Sequence, residues 1–540
     1  MSALKLNRRW FYLSLGCCVL AVLPLLSIYF SFSQFSLALW QHLTTTTLGL
    51  YISNSMILAV GVALCSATFG VSTAWLVTQY RFPGVSWLQW AMLLPMAMPA
   101  YIIAYTYTGM LDVASPLQFW IRQTFNLTGS VLPEIRSLPG AILMLSLVLF
   151  PYVFLLAKTA FNDQRQNLRD VSASLGVTGT AFFVKVALPI ARPAIFTGVA
   201  LVVMETLADY GTVQYFGVST FTTGIFRTWF GMGEMALASQ LSAILATCVL
   251  LLLFWERYLR RNMAFYQTTQ SRRIEPRNLS FVHRWLCALY CIGLLSIAFV
   301  IPVSQLAVWA WQSVSSDVLD GYSSLLFTTI GLALLASVLT VSVAILLSYA
   351  QRITGQARVV TMNQIAGIGY AIPGTVIAVG VLVPFGWLDQ QLNQLSFAWF
   401  NHYVGLIFSG TLFVLIFAYV VRFLSVAMHN TQSGLERIKP NMDDAALSLG
   451  KSRFAVFTHV HVPLLRGALF SALLLVFVDV LKELPATLIL RPFNVNTLAV
   501  KAFEYASDER LMDAALPSIT IVLVGIVPVI LLTRAMRMRS

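Results

Sequence analysis

The sequence predicts an all-α polytopic membrane protein of about twelve transmembrane helices, arranged as two parallel six-helix repeats. Three observations predict it. Of 540 residues, 58% are hydrophobic and only 10% are charged, far from the roughly 25% charged of soluble domains. Apolar runs of about 20 residues, the length that crosses a bilayer as a helix, recur along the whole chain. A shift of 274 positions lays the second half on the first, placing Pro373 on Pro99.

The apolar runs fall at 11–31, 54–78, 86–109, 138–157, 193–213, 237–255, 284–309, 325–349, 363–386, 403–424, 467–488 and 515–533. The first follows a basic start but is too long for a signal peptide and lacks a small-residue cleavage site, so it is expected to be retained. Most of the 34 Lys and Arg residues lie between runs on one side, including Lys5, Arg8 and Arg9, the 257–284 stretch, and Arg534, Arg537 and Arg539. Because basic residues concentrate in short cytoplasmic loops, both termini are expected in the cytoplasm. This bias accounts for the net charge of +13. The basic residues are scattered and form no stripe suited to nucleic acid, so no nucleic-acid partner is expected, and membrane lipid is the expected contact of the 257–284 stretch. The 6 cysteines all fall in apolar runs, as small hydrophobes and not as a disulfide or zinc framework.

The 274 shift also places Gly450 on Gly176, Pro463 on Pro189 and Arg466 on Arg192. Each copy holds an even number of runs, so both enter the membrane in the same direction, as parallel repeats. The expected division is a first repeat at 1–265, a linker at 266–280 and a second repeat at 281–540.

Between the runs, DAALSLGKSR (444–453) contains a GKS that invites an ATP-binding reading. A P-loop needs a glycine five positions before the Gly-Lys pair, and Ala445 stands there. The first copy, DVSASLGVTGTAFFVKVALP (170–189), has Val177 and Thr178 where the second has Lys451 and Ser452. The shared features are the acid, the small residues, the glycine and the later proline. They predict a short helix turned at its glycine, a second short helix, and a proline opening the next span. Small residues such as Ser172, Ala173, Ala445 and Ala446 let a partner approach closely. A single loop of this kind could equally lie on a lipid surface.

These paired loops resemble the coupling motif of ABC-importer permeases, Glu-Ala-Ala, three residues, Gly, nine residues, Ile-x-Leu-Pro. The second copy matches as Asp444, Ala445, Ala446, Gly450, Val460, Val462 and Pro463; the first departs further, as Asp170, Val171, Ser172, Gly176, Val186, Leu188 and Pro189. The resemblance covers nearly the whole chain and implies the type I ABC importer permease fold in a bacterial inner membrane. It implies two copies of a separate cytoplasmic ATPase, which hold ATP and Mg, and no catalysis or bound cofactor in this chain. METLADYGTVQYFGVSTFTTGIFRTW (204–229) and VLKELPATLILRP (480–492) look like the ferric-iron permeases, which implies Fe3+ as cargo and a periplasmic ferric-binding protein as partner.

The residues themselves point to a cation. Glu205 and Asp209 are four apart, which places them on one face of a helix, and the shift carries them onto Asp479 and Glu483. At 1.5 Å per residue, Glu205 lies about 24 Å beyond Pro189 and Asp209 about 30 Å. Acids inside a membrane are costly and usually face a polar path, so transient Fe3+ contact is expected at these four, with no resident metal site. Alternatively they pin helices, Glu483 with Lys482 or Arg491. Tyr101 and Tyr105 read as interfacial anchors or, alternatively, iron ligands. Met92, Met96 and Met98 read as packing, and His459 and His461 as an isolated pair. Thiamine or a polyamine is the alternative cargo, and an ion-coupled secondary transporter the alternative machine. No HExxH or GxSxG motif points to an enzyme.

Overall fold

The computed structural model describes residues 2–164, 166–261, 276–313 and 321–537; most of the expected linker, 266–275, and Arg539 lie outside them. The regular elements of the described chain are helices apart from one parallel pairing of Tyr80 with Arg277 and Arg81 with Asn278. Among the described residues, eleven helices are long and apolar enough to cross a membrane. The bent pair Val85–Ala97 and Ala100–Phe125, which meet at 91°, brings the number to twelve if it is one broken span.

The expected run 86–109 is therefore broken, and proline breaks it. A residue before proline is forced out of the helical region, and Met98 is extended at φ −101 and ψ 123. The second repeat is interrupted at the equivalent proline: Ile372 is extended at φ −82 and ψ 133, and helix Gly374–Phe400 starts only after Pro373. Two other runs end early for a different reason. The run at 193–213 stops at Ala208, with Asp209 extended at φ −66 and ψ 132, and the run at 467–488 stops at Leu481. The run at 403–424 is displaced to Leu412–Glu436. Asn401 closes the preceding helix in a left-handed conformation. The buried Asp389 carboxylate then accepts from the amides of Ile407, Phe408 and Ser409 at 3.1, 2.9 and 2.7 Å. This folds 401–411 as a loop.

The chain forms two compact units whose borders do not follow the sequence repeats. One holds Met1–Trp40, Ile225–Ala246 and Leu319–Lys501; the other holds Gln41–Gly224, Thr247–Val318 and Ala502–Ser540. Within the first unit, helix Ser2–Phe30 lies on Gly374–Phe400. Ser27 Oγ donates to the Gly380 carbonyl at 2.6 Å, and a Cβ on Gly380 would stand 2.3 Å from the Pro24 carbonyl oxygen. Only glycine permits that approach of two backbones. Within the second unit the span Phe281–Ser313 packs on helix Ala100–Leu111, where the Tyr107 hydroxyl donates to the Ile297 carbonyl at 2.7 Å. The opening helix of each repeat thus packs against helices of the other repeat.

Candidate functional site

Each repeat carries a short helix between two long ones. In the first, Gln166–Ser174 ends at Gly176, whose φ is +77; the Val177 amide reaches back to the Ser172 carbonyl at 2.8 Å. In the second, Pro440–Ser448 ends at Gly450 with φ +78, and the Lys451 amide reaches the Ala446 carbonyl at 3.2 Å. This is the glycine-terminated helix end in which the residue after the glycine bonds back across the last turn. The next short helices, Gly179–Phe182 and Arg453–Val456, run through a π-turn into Leu188–Ala208 and Val462–Leu481. Pro189 and Pro463 follow directly on these π-turns, and the path into each long helix is continuous and not restarted at the proline.

The short helices present apolar side chains outward. Leu175 is 75% exposed and Leu449, at the equivalent position, 81%. Val171 and Phe454 are exposed beside them, as are Asp170, Asp444 and Ala445. Ser172 is buried and Ala446 half-buried. The small residues thus face inward at 172 and 446, toward this chain's own helices.

The four acids separate into two kinds. Glu205 and Asp479 lie within their helices. Asp209 and Glu483 lie beyond the helix ends, so neither shares a helix face with the acid four residues before it. Asp209 accepts from the amides of Thr212 and Val213, each at 3.1 Å, and from the Thr212 hydroxyl at 3.0 Å. Glu483 accepts from the amides of Ala486 and Thr487 at 3.0 and 2.9 Å and from the Thr487 hydroxyl at 2.7 Å. Each caps the short helix that follows, Gly211–Tyr215 or Pro485–Leu490, satisfying amides that have no partner within the helix.

In the second repeat the acids also have cations. Asp479 pairs with Lys482 at 2.8 Å. Glu483 is 5% exposed and pairs with Arg422 at 3.1 Å, a partner the sequence reading did not assign. A lone arginine inside an apolar run was the available signal. Gly374 makes room for this pair: a Cβ there would stand 1.9 Å from Arg422 Nη1 and 2.7 Å from Glu483 Oε1. The equivalents of Gly374 and Arg422 in the first repeat are Ala100 and Val148.

The tyrosines are not interfacial anchors. Tyr105 is fully buried and its hydroxyl donates to Ser518 Oγ; Tyr101 is 4% exposed and meets the Phe503 ring edge-on at 6.2 Å. Met92 and Met98 are buried packing residues. His459 Nδ1 lies 3.0 Å from the Ala455 carbonyl, while His461 turns inward to Asp443 at 2.7 Å. The two histidines do not converge. Among the described residues no group of three or more His, Cys, Asp and Glu side chains could hold a metal ion.

Two segments, 66–265 and 360–539, match the family described as binding-protein-dependent transport system inner membrane component. The chain belongs to this family. The permease is 27% identical to the Fe(3+)-transport system permease protein FbpB 2 of Haemophilus influenzae over 489 residues, 89% of each chain. It is 23% identical to the ferric transport system permease protein FbpB of Actinobacillus pleuropneumoniae, over 81% of this chain and 64% of that one. The sulfate transport system permease protein CysT of Escherichia coli is 26% identical over 38% of this chain and 74% of its own. The permease is thus a polytopic transport protein with the family module present twice.

Proposed function

We propose that the permease is the membrane-spanning subunit of an ATP-driven importer that carries Fe3+ from a periplasmic ferric-binding protein into the cytoplasm. Two half-permeases, 1–265 and 281–540, are fused through 266–280, with both termini cytoplasmic. One copy of a separate ATPase docks on each short helix, within the coupling loops marked by Asp170, Ser172, Gly176 and Pro189 in one half and Asp444, Ala445, Ala446, Gly450 and Pro463 in the other. Leu175 and Leu449 carry this reading: equivalent, apolar and largely bare, they offer the same contact twice. A partner groove that takes an amphipathic helix would cover them.

ATP and Mg belong to those partners, and ATP binding shifts the permease between inward-open and outward-open states. A shift from 1:99 to 99:1 requires about 5.5 kcal/mol of preference for one state. Fe3+ is supported as cargo by the match along 89% of both chains to an iron permease, against 38% of this chain for the sulfate permease. Oxygen ligands suit a hard, highly charged ion. Glu205 and Asp479, inside their helices, make the transient contact with it. Asp209 and Glu483, the other two acids expected on the pathway, also hold the ends of their helices.

The test is radiolabelled iron uptake in proteoliposomes with the ATPase and the binding protein. Wild type takes up iron only with both partners and ATP, and Leu175→Ser with Leu449→Ser abolishes uptake and releases the ATPase while the permease stays folded. Uptake that survives omission of the ATPase contradicts the reading in favour of ion coupling. Loading the binding protein with thiamine or a polyamine, and finding those transported in place of iron, would reassign the cargo.

A further inference from the structure

The second short helix is fastened by a charged joint. In the unit that holds Leu319–Lys501, Asp443 Oδ2 accepts from Arg352 Nε at 2.9 Å and Oδ1 meets His461 Nε2 at 2.7 Å. The same guanidinium donates from Nη1 to the Leu435 carbonyl at 2.6 Å and from Nη2 to the Ile438 carbonyl at 2.9 Å. Helix Tyr322–Thr354, the end of Leu412–Glu436, the short helix Pro440–Ser448 and the turn leading into Val462–Leu481 are therefore bound at one point. His461 is 1% exposed, lies edge-on to Tyr349 at 5.4 Å, and has no partner at Nδ1. Asp443 is its polar side-chain anchor.

The 274 shift puts Thr78, Arg169 and Ala187 in these three places. The Thr78 hydroxyl donates to Ala74 of its own helix at 2.8 Å. Gln164 Nε2 donates to the Ala187 carbonyl at 2.9 Å, a neutral bond across the same joint. Arg169 lines a cavity with Trp75, Tyr80 and Arg277. Charge-assisted bonds are roughly twice as strong as neutral ones, and a guanidinium fork fixes direction as well as distance. A displacement of Pro440–Ser448 must drag the membrane helices or break this fork.

We propose that Asp443, Arg352 and His461 are positioning residues that transmit movement of the second short helix to the membrane helices. This rests on the short helices being the ATPase docking points. Asp443 precedes the Asp444 of the coupling motif and faces inward to the chain's own helices, so it governs what docking accomplishes and not whether docking occurs.

The experiment uses the full permease reconstituted with its ATPase and binding protein, and reads ATP hydrolysed per iron imported together with the amount of ATPase retained. Arg352→Gln and Asp443→Asn are expected to raise the ATP consumed per ion roughly tenfold, within the range of coupling between distant sites, with the ATPase retained as in wild type. Asp443→Glu and Arg352→Lys, which keep the charges, recover part of the loss. Thr78→Val, the equivalent of Arg352 in the first half, leaves the ratio at the wild-type value. An unchanged ratio in Arg352→Gln or Asp443→Asn overturns the proposal, and an equal rise in Thr78→Val overturns the assignment of the loss to this joint. Should Arg352→Gln fail to fold, Asp443→Asn, which keeps an oxygen to accept from Nε, is decisive alone. If wild type itself neither binds the ATPase nor imports with ATP, the underlying docking reading falls instead.

Discussion

Asp209 and Glu483 occupy equivalent positions and make equivalent bonds, each to the amides three and four residues on. Glu483 adds the guanidinium of Arg422 over a glycine that leaves space for it; Asp209 is served by amides and a hydroxyl. The short helices differ too: Asp443 is ion-paired with Arg352, and in the first repeat Gln164 donates to the Ala187 carbonyl. The duplicated backbone keeps its bends, while the charges that hold the bends have diverged. Repetition of a fold therefore says where the chain must turn and leaves open what fastens the turn.

The largest effect expected from this contrast is at Arg422. Arg422→Ala strands a buried carboxylate, which costs about 3–5 kcal/mol, read as loss of thermal stability in detergent. Asp209→Asn keeps an oxygen for the same two amides and costs about 1 kcal/mol, the scale of a helix cap. Equal losses would erase the distinction between the halves. Next is Gly374→Ala, whose Cβ would collide with the Arg422–Glu483 pair; overpacking of this kind costs about 1–3 kcal/mol. Ala100→Gly at the equivalent place costs about 0.5–1 kcal/mol through backbone freedom alone.

A smaller effect is expected where the halves agree. Gly176 and Gly450 share a positive φ with open space around them, so replacing either by alanine costs about 1–2 kcal/mol from backbone conformation, and by the same amount in both. Gly450→Pro, or deletion of 444–450, abolishes ATP-driven uptake while the membrane helices remain. Wild-type uptake from the deletion would remove the short helix from the mechanism.

Much of the frame was legible because apolar run length and the 274 repeat are one-dimensional signals. The short helices at Gly176 and Gly450 were legible because a left-handed glycine leaves a mark in the sequence. The break at Pro99 was not read from the apolar run, since hydropathy is blind to a bend that keeps the chain apolar. The helix ends at Ala208 and Leu481 were missed because an acid four residues after another fits a helix face as well as a cap. Arg422, Arg352 and Asp443 escaped because their partners lie 61, 91 and 18 positions away, beyond any local spacing rule. The packing of each repeat's first helix on the other repeat leaves no periodicity at all.

The smallest effect is in pH. Burial pushes the Asp443 carboxyl up, and the hydrogen bonds and charges of Arg352 and His461 outweigh it, holding the carboxyl below the usual carboxylate range. A depressed folded value means that this stabilisation is fully present above the unfolded value of about 3.9 and is lost as pH falls through the folded one. Thermal stability is therefore expected to show no Asp443 contribution to its pH slope from pH 7 down to about 4, and Asp443→Asn to flatten the slope below that. A difference in slope confined to neutral pH would assign the titration elsewhere.

The most direct measurement is site-specific crosslinking from Leu175→Cys and Leu449→Cys in membranes. The account predicts that each forms a crosslink to a copy of the ATPase and that ATP changes the yield at both. Labelling of both positions by lipid-phase probes, with no ATPase crosslink in any nucleotide state, would contradict it.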